Sequence, residues 1–588
     1  MLDVKNLVER GIEAVGEGSV LLAAPFHVPE VLIQEHLRSG RVSGVVAQRK
    51  PSDIVPDLPV CGEWLDADHT RLKLRLHPGA TLLFLGTGHQ IGGRILLEAV
   101  IKGVRRIVHI GQGAEFESRG AVEWLRSQAG AIMFRRLLQS RALAPLGERS
   151  LKIAGVTFEE GYRELLERAS FLRLPTESFD SSHAILAAGS LGPGGAERQL
   201  AYSARGLARS GAWRVGVAVE NLTPPVSNFH EATVRDAGGQ VHVVKLSGGR
   251  YDDPQLDQLV AYFRGRYGSI GFHYVVEGIL DYALFLREQR PALLHTWMDS
   301  CNVRAGFAAL LVGVPRLILS GRSVAPDHFA IFQPYMRAGY RTIMDSTDVI
   351  ILNNSQAGAN DYARWLGCHS ERIDVIHNGF EFPADIRSHR PTARVELGFG
   401  DENVVLGGIL RFSEEKRPDL WLEVADRFVR DDPKHRAVAF GDGPMRPGLL
   451  AEIEKRGLTG RVFMPGITRD AWASFSAFDI FILTSRMEGL PNVLIEAQAS
   501  GLPVVAPDVG GAGETLVDGV TGLLAPDDDP NKLARLCIVL AQDNTQRARM
   551  GSAGAAFART EFSADRMVER TLAIYGRHTE IEQILRAK

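Results

Sequence analysis

SRMEGLPNVLIEAQASGLPVVAPDVGGAGETLVDGVTGLL, residues 485–524, is the stretch on which the reading of this chain turns. Two glutamates, Glu488 and Glu496, stand eight positions apart in it. Glu488 and Gly489 end a loop. Pro491 suits the first position of a helix, because its missing N–H is one of the donors a helix start leaves unpaired anyway. Residues 492–500 are expected to be helical, with Gly501 as the stop. Glu488 then lies at the mouth of a helix N-terminus and Glu496 on its second turn. Helix N-termini attract anions, so two carboxylates there need another reason. One is that they hold hydroxyl groups while a phosphate takes the N–H groups.

Working outward, residues of about 400–560 alternate short apolar runs with helical patterns. VVLGGILR, AVAFGDG, VFMPG, IFILTS, PVVAPD and GLLAP read as strands, and RPDLWLEVADRFVRD reads as a helix. The same arrangement stands upstream, from HAILAAGS at 183–190 to about 382, with strands at WRVGVAVE, VHVVKL, ALLHTW, PRLILS, VIILNN and IDVIHN. Both are doubly wound α/β patterns. Residues 1–170 form a smaller α/β extension, with strands at 20–24, 42–48, 80–86 and 105–111, then a mostly helical segment from about 114. The expected architecture is therefore α/β, with two Rossmann-like domains (183–382 and 383–562) facing a cleft. The N-terminal α/β extension precedes them, and a C-terminal helix (563–588) can pack on either.

The bulk properties are those of a globular chain. With 588 residues it exceeds one core, and 45% apolar content with 23% charge fits a soluble protein. A formal net charge of -3 gives no global attraction to nucleic acid or anionic membrane. Four dispersed cysteines, Cys61, Cys301, Cys368 and Cys537, include no C-x-x-C pair, which argues against a zinc or disulfide scaffold and fits a reducing cytoplasm. AGFAALLVGVP, at 305–315, is the longest apolar stretch and is too short to span a bilayer.

Ligands of doubly wound sheets bind at the carboxyl ends of strands. GILRFSEEKRPDL, 408–420, follows a strand, and its Arg411 and Lys416 precede a helix opened by Pro418. Two cations beside a helix start make a diphosphate clamp. The same spacing also fits a solvated loop in which Glu414 and Glu415 pair the bases. LGPGGAERQ, 191–199, lets the backbone approach a phosphate at Gly194 and Gly195, or is an ordinary tight turn. His295 in HTW ends another strand, either facing a cleft or serving the core. APDDDP, 525–530, resembles a metal triad, yet its place before a helix reads as N-capping.

Taken together, GGAERQ, GILRFSEEK, GDGP and above all residues 485–524 resemble the retaining glycosyltransferases of family 4, with the two-domain fold called GT-B. The resemblance covers about two thirds of the chain. It implies a nucleotide-diphosphate sugar as donor substrate, UDP-linked by default, with no cofactor and no metal. Arg411 and Lys416 match the diphosphate clamp. Glu488 matches the glutamate that touches donor-sugar hydroxyls, and Gly489, Leu490, Pro491 and Asn492 lie against sugar and phosphate. Glu496 matches the ribose-binding glutamate, and Gly194 and Gly195 the first-domain loop near the diphosphate. Asn378 and Gly379 match a structural linker motif. His295 matches a first-domain histidine near the donor sugar, although Thr296 and Trp297 follow where many members carry a second histidine. Glu488, Arg411, Lys416 and His295 are thus the expected catalytic set.

The implied reaction transfers a sugar to a glycan or lipid-linked acceptor, in bacterial cell-surface polysaccharide synthesis, at a cytoplasmic location with peripheral membrane contact. The rivals are another GT-B reaction, such as nucleotide-sugar epimerisation or phosphorolysis, and an inactive binding scaffold. Two stretches of the extension fall outside the family pattern. GTGHQIGG, 86–93, is a phosphate loop or a tight turn. The basic amphipathic stretch 131–152 is a lipid-docking segment or a helix covering its neighbour. No DxD-type metal site is needed, so EDTA should leave turnover intact, and strict metal dependence would count against the family reading.

Overall fold

The computed structural model describes seven short strands before residue 156 and, apart from 225, 330, 331 and 469, residues 156–586. It divides into two units. The first holds residues 1–164 together with 252–276 and 327–338. Its strands are β1 (Val20–Ala24), β2 (Gly44–Ala47), β3 (Gly62–Trp64), β4 (Leu72–Leu74), β5 (Thr81–Leu85), β6 (Arg106–Gly111) and β7 (Ala114–Ser118). They form one sheet in the order β2-β1-β5-β6-β7, parallel except for β6 with β7, and an antiparallel β3-β4 pair. Two corrections follow. The segment expected to be helical from 114 opens with a strand, and the extension is not a contiguous 1–170 block, because it takes in two segments from the middle of the chain. Residues 86–93 and 131–152 lie outside the described residues.

Helix α1 (Phe158–Arg168) belongs to this unit up to Glu164 and shows how the inserted segments are held. Its Phe158 and Tyr162 meet the Phe272 ring edge-on, at centroid distances of 5.8 and 4.8 Å. Phe272 also packs on Phe263 and Tyr267. Edge-to-face aromatic contacts add to the gain from area burial alone.

The second unit contains both large sheets. The first-domain strands are β8 (Asp180–Ala188), β9 (Arg214–Val219), β10 (Gln240–Val243), β11 (Pro291–Trp297), β12 (Arg316–Ser320), β13 (Ile350–Asn353) and β14 (Ile373–Val375). Their order is β10-β9-β8-β11-β12-β13-β14, all parallel. The second-domain strands are β15 (Val404–Ile409), β16 (His435–Phe440), β17 (Val462–Gly466), β18 (Ile480–Ile482), β19 (Val504–Pro507) and β20 (Gly522–Ala525). Their order is β17-β16-β15-β18-β19-β20, again parallel. Each order reverses direction beside its first strand, which is the switch point where doubly wound sheets open a crevice. Every apolar run read as a strand in these two domains is one.

The helices that matter for the site are α2 (Gly195–Ser210), α3 (Gln356–Leu366), α4 (Pro418–Asp431), α5 (Asn492–Ala499), α6 (Pro530–Gln542) and α7 (Ala564–Arg586). Successive strand residues point to opposite faces of a sheet. Val405 and Val438 therefore join one core layer with Phe475, Phe478 and Leu494, while Leu406 and Ala437 join the other with Trp421, Phe428 and Leu533. Helix α7 follows the second domain in sequence but crosses back, so Met567, Ile574 and Tyr575 lie in the first domain's core with Leu200, Leu207 and Trp297. Trp421 is fully buried beneath Gly408 and carries the start of α4. Trp421→Ala should cost about 3–5 kcal/mol of stability, read as a fall in the urea midpoint.

Candidate active site

The site begins where β15 ends. Leu410 N–H donates to Phe440 O (3.0 Å) and Phe412 N–H to Asp442 O (2.9 Å), so the two strand-end loops run side by side. Gly441 makes this approach feasible: its φ is +147° and a Cβ built on it would overlap Leu410 O. A single helical turn, Glu414–Lys416, then presents Lys416. The next residue, Arg417, is left-handed at φ +50°, an unfavourable conformation for a residue with a Cβ, and it is tied to Asp528 by an ion pair. That kink separates the turn from α4 and leaves Lys416 facing the loop after β18.

Lys416 Nζ meets Glu488 Oε1 at 2.6 Å. Arg411, Lys416 and Glu488 line one open cavity of about 470 Å³ with Ser485, Asp442, Thr468 and Val493. The cavity sits at the carboxyl ends of β15, β16 and β18. The loop that supplies Glu488 is fixed from below: a Cβ on Gly510 would overlap Glu488 O, and one on Gly511 would overlap Gly489 O. Leu490 is anchored in a small apolar cluster with Phe380 and Ile495. Pro491 is the N-cap of α5 rather than its first residue, and α5 ends at Ala499 before Gly501, whose φ is +73°.

The first domain packs against the other side of the Glu488 loop and of α5. Gly489 lies so close that a Cβ on it would stand 2.5 Å from Ser323 Cα. Gly195 opens α2, and a Cβ on it would stand 3.0 Å from Asn492 Nδ2. Asn492 Oδ1 accepts from Asn378 Nδ2 at 2.6 Å. Gln199 holds the neighbouring Gly379 through both its backbone groups (2.7 and 2.9 Å). Glu496 is buried and pairs with Arg198 of α2 at 2.8 Å. Burial raises the Glu496 pKa, while the Arg198 guanidinium pulls it back toward the charged form. Lower in the seam, Glu514 accepts from the first N–H groups of α3, those of Gln356 (2.7 Å) and Ala357 (2.8 Å), and from His377 (3.3 Å).

The expected residues therefore fall into three places. Arg411, Lys416 and Glu488 share the cavity. Gly489, Leu490, Pro491, Asn492 and Glu496 form the adjoining loop and helix, with Gly195 facing Asn492 and Gly194 capping α2. His295 does not join them. Its ring is buried in β11, with Nδ1 2.9 Å from Tyr575 Oη and Nε2 2.7 Å from Ser320 Oγ, and it lies against Trp297. Both ring nitrogens are engaged, and burial pushes its pKa well down. The expectation that His295 faces the cleft is corrected: it is a satisfied core histidine. Asp529 caps α6 by accepting from Asn531 N–H (2.9 Å), as its position implied, and among the described residues no cluster could hold a metal ion. Sequence reasoning missed Arg198 and Glu514. Arg198 had the clearest signal, standing on the first turn after the glycine loop.

Residues 193–382 match the family model described as Glycosyltransferase Family 4, and residues 389–557 that described as Glycosyl transferases group 1. Together the two matches take in more than half of the chain. The Vi polysaccharide biosynthesis protein VipC/TviE of Salmonella typhi is 30% identical over 390 residues, covering 62% of this chain and 65% of that protein. The chain thus spans slightly less than two thirds of that relative. A D-inositol 3-phosphate glycosyltransferase of Kribbella flavida is 26% identical, covering 62% of this chain and 88% of that protein. Among solved structures, Anabaena HepE in complex with UDP superposes with a TM-score of 0.54 at 22% identity, over 67% of this chain and 99% of that one. A glycosyltransferase from Rickettsia africae gives 0.54 at 14%, over 68% and 99%. At these identities the structural likeness speaks for the fold. Among the described residues, no helix is long and apolar enough to cross a membrane.

The glycine under the Glu488 loop gives a direct check. Gly511→Ala should leave far-UV circular dichroism unchanged, shift the loop, and lower turnover at least about tenfold, equivalent to ~1.4 kcal/mol.

Proposed function

The chain belongs to the family 4, group 1 glycosyltransferases, and from that premise we propose that it moves a sugar from a nucleotide-diphosphate sugar to a glycan or lipid-linked acceptor with retention of configuration. The observation that carries this reading is the convergence of Arg411, Lys416 and Glu488 on one strand-end cavity. The polysaccharide-biosynthesis relative from Salmonella typhi favours a bacterial cell-surface glycan as the product. UDP bound to Anabaena HepE favours UDP as the donor nucleotide.

The residues take roles that follow from their chemistry. Lys416 and Glu488 neutralise each other across the cavity. A donor replaces that pair, its diphosphate facing Lys416 and Arg411 and its sugar hydroxyls facing Glu488. Glu496 accepts from the ribose hydroxyls, with Arg198 keeping it ionised at depth. The acceptor oxygen attacks the anomeric carbon on the face that the diphosphate leaves. The carbon–oxygen bond to the diphosphate breaks, the new glycosidic bond forms, and the departing phosphate oxygen takes the acceptor's proton. No protein nucleophile is needed. Catalysis rests on orientation and on stabilising charge as it develops on the leaving group.

Lys416→Ala should lower kcat at least tenfold, each decade equivalent to about 1.4 kcal/mol, and unchanged turnover would remove the clamp assignment. A thermal-shift panel of UDP, GDP, ADP and their sugar conjugates identifies the donor. One nucleotide should raise the melting temperature of the wild type and raise it less in Glu496→Ala, because a ligand selective for the folded state stabilises it in proportion to its affinity.

A further inference from the structure

Arg322 follows β12 in the first domain and stands in the seam beside the Glu488 loop. One terminal nitrogen donates to Asn378 Oδ1, which ties it to Asn492 at the start of α5. Its Nε is buried and has no hydrogen-bond partner. No described carboxylate pairs with it, and burial alone moves its pKa, down to about 10, so it stays charged at neutral pH. Arg322 is half-buried with its Nε shut off from solvent; a guanidinium so placed without a counter-ion is costly to maintain, and arginine is suited to planar recognition of carboxylate and phosphate.

A second unsatisfied group lies beside it. Asn354 is 3% exposed and donates to Arg322 O at 3.0 Å, yet its Oδ1 is buried and unpaired. The backbone of Gly489 is its neighbour: a Cβ there would stand 3.2 Å from Asn354 Oδ1. An unpaired cationic donor and an unpaired amide acceptor thus flank the loop that supplies Glu488 to the cavity. Native structures satisfy nearly all such buried groups, and exceptions point to a missing partner. Their complement is a ligand that carries an anionic oxygen close to a hydroxyl.

We propose that Arg322 and Asn354 form the first domain's half of the donor site, with Arg322 taking an anionic oxygen of the donor and Asn354 accepting from a sugar hydroxyl. The oxygen belongs either to the sugar-side phosphate or to a carboxylate on the transferred sugar. This inference rests on the cavity being a nucleotide-sugar site.

Isothermal titration of the full chain with UDP, UDP-glucose and UDP-glucuronate tests it on wild type, Arg322→Met, Asn354→Asp and Lys416→Ala. Arg322→Met should weaken binding at least tenfold while the unliganded melting temperature holds or rises, since an uncompensated charge has been removed. Loss for all three ligands identifies a phosphate, and loss for UDP-glucuronate alone identifies a carboxylate. Asn354→Asp puts a negative charge at the amide's position, where it repels an anionic oxygen held by Arg322, and should weaken the same ligands at least tenfold. Unchanged affinities in both variants, or a lowered melting temperature with affinity kept, overturn the inference if Lys416→Ala still loses binding. If Lys416→Ala binds as wild type does, or wild type binds none of the three, the donor reading falls and takes the inference with it.

Discussion

The chain passes between the two Rossmann-like domains twice, and the two crossings are bonded to each other. Phe380 N–H donates to Phe562 O at 2.8 Å, and Ala564 N–H donates to Phe380 O at 2.9 Å. Two strands of backbone joined in this way constrain the hinge far more than a single linker would. The rest of the site depends on that constraint. The linker residues Asn378 and Gly379 sit directly before the junction, and they hold Asn492 on one side and Gln199 on the other. A close approach of Gly489 to Ser323 is useful only if the domains meet in a reproducible way.

Charged and amide groups cross the seam beside the apolar cluster of Phe380, Leu490 and Phe562. Arg198–Glu496, Glu514 on the first turn of α3, and the Asn378–Asn492 bond cross between the domains. Exposed ion pairs contribute little to stability, and buried ones repay their desolvation only with good geometry. Such contacts suit a surface that must exchange partners when a ligand enters. The Lys416–Glu488 pair has the same character, a close ion pair on the wall of an open cavity.

Much of this was legible in the sequence, because parallel strands buried on both faces leave apolar runs with glycine-rich ends, and chemistry in such sheets sits at those ends. That logic puts Arg411, Lys416 and Glu488 at strand ends, and the fold brings them to one cavity. The same logic leaves His295 open, because a strand end has two faces and nothing local to HTW says which one meets the core; only the match to a family histidine puts it in the cleft. Its partners, Tyr575 and Ser320, lie far away in sequence. Arg322 and Asn354 escaped notice for a related reason. A missing partner is a property of three-dimensional burial, and SGRSVA and ILNNSQ carry no trace of it. The boundary of the N-terminal unit failed because residues 252–276 and 327–338 read as ordinary helices of the first Rossmann pattern.

Helix α7 places a demand on folding. The first Rossmann domain is encoded early, but Met567, Ile574 and Tyr575 complete its core, and the Tyr575 hydroxyl satisfies His295 across 280 residues of sequence. As the chain leaves the ribosome, that domain must wait with part of its apolar surface uncovered until the whole second domain has been made. Closing so long a loop adds only modest entropy, because that cost grows with the logarithm of length. The exposed interval matters more, since uncovered apolar surface is where misassembly begins. Completion of α7 therefore acts as the final step that seals both domains as a pair.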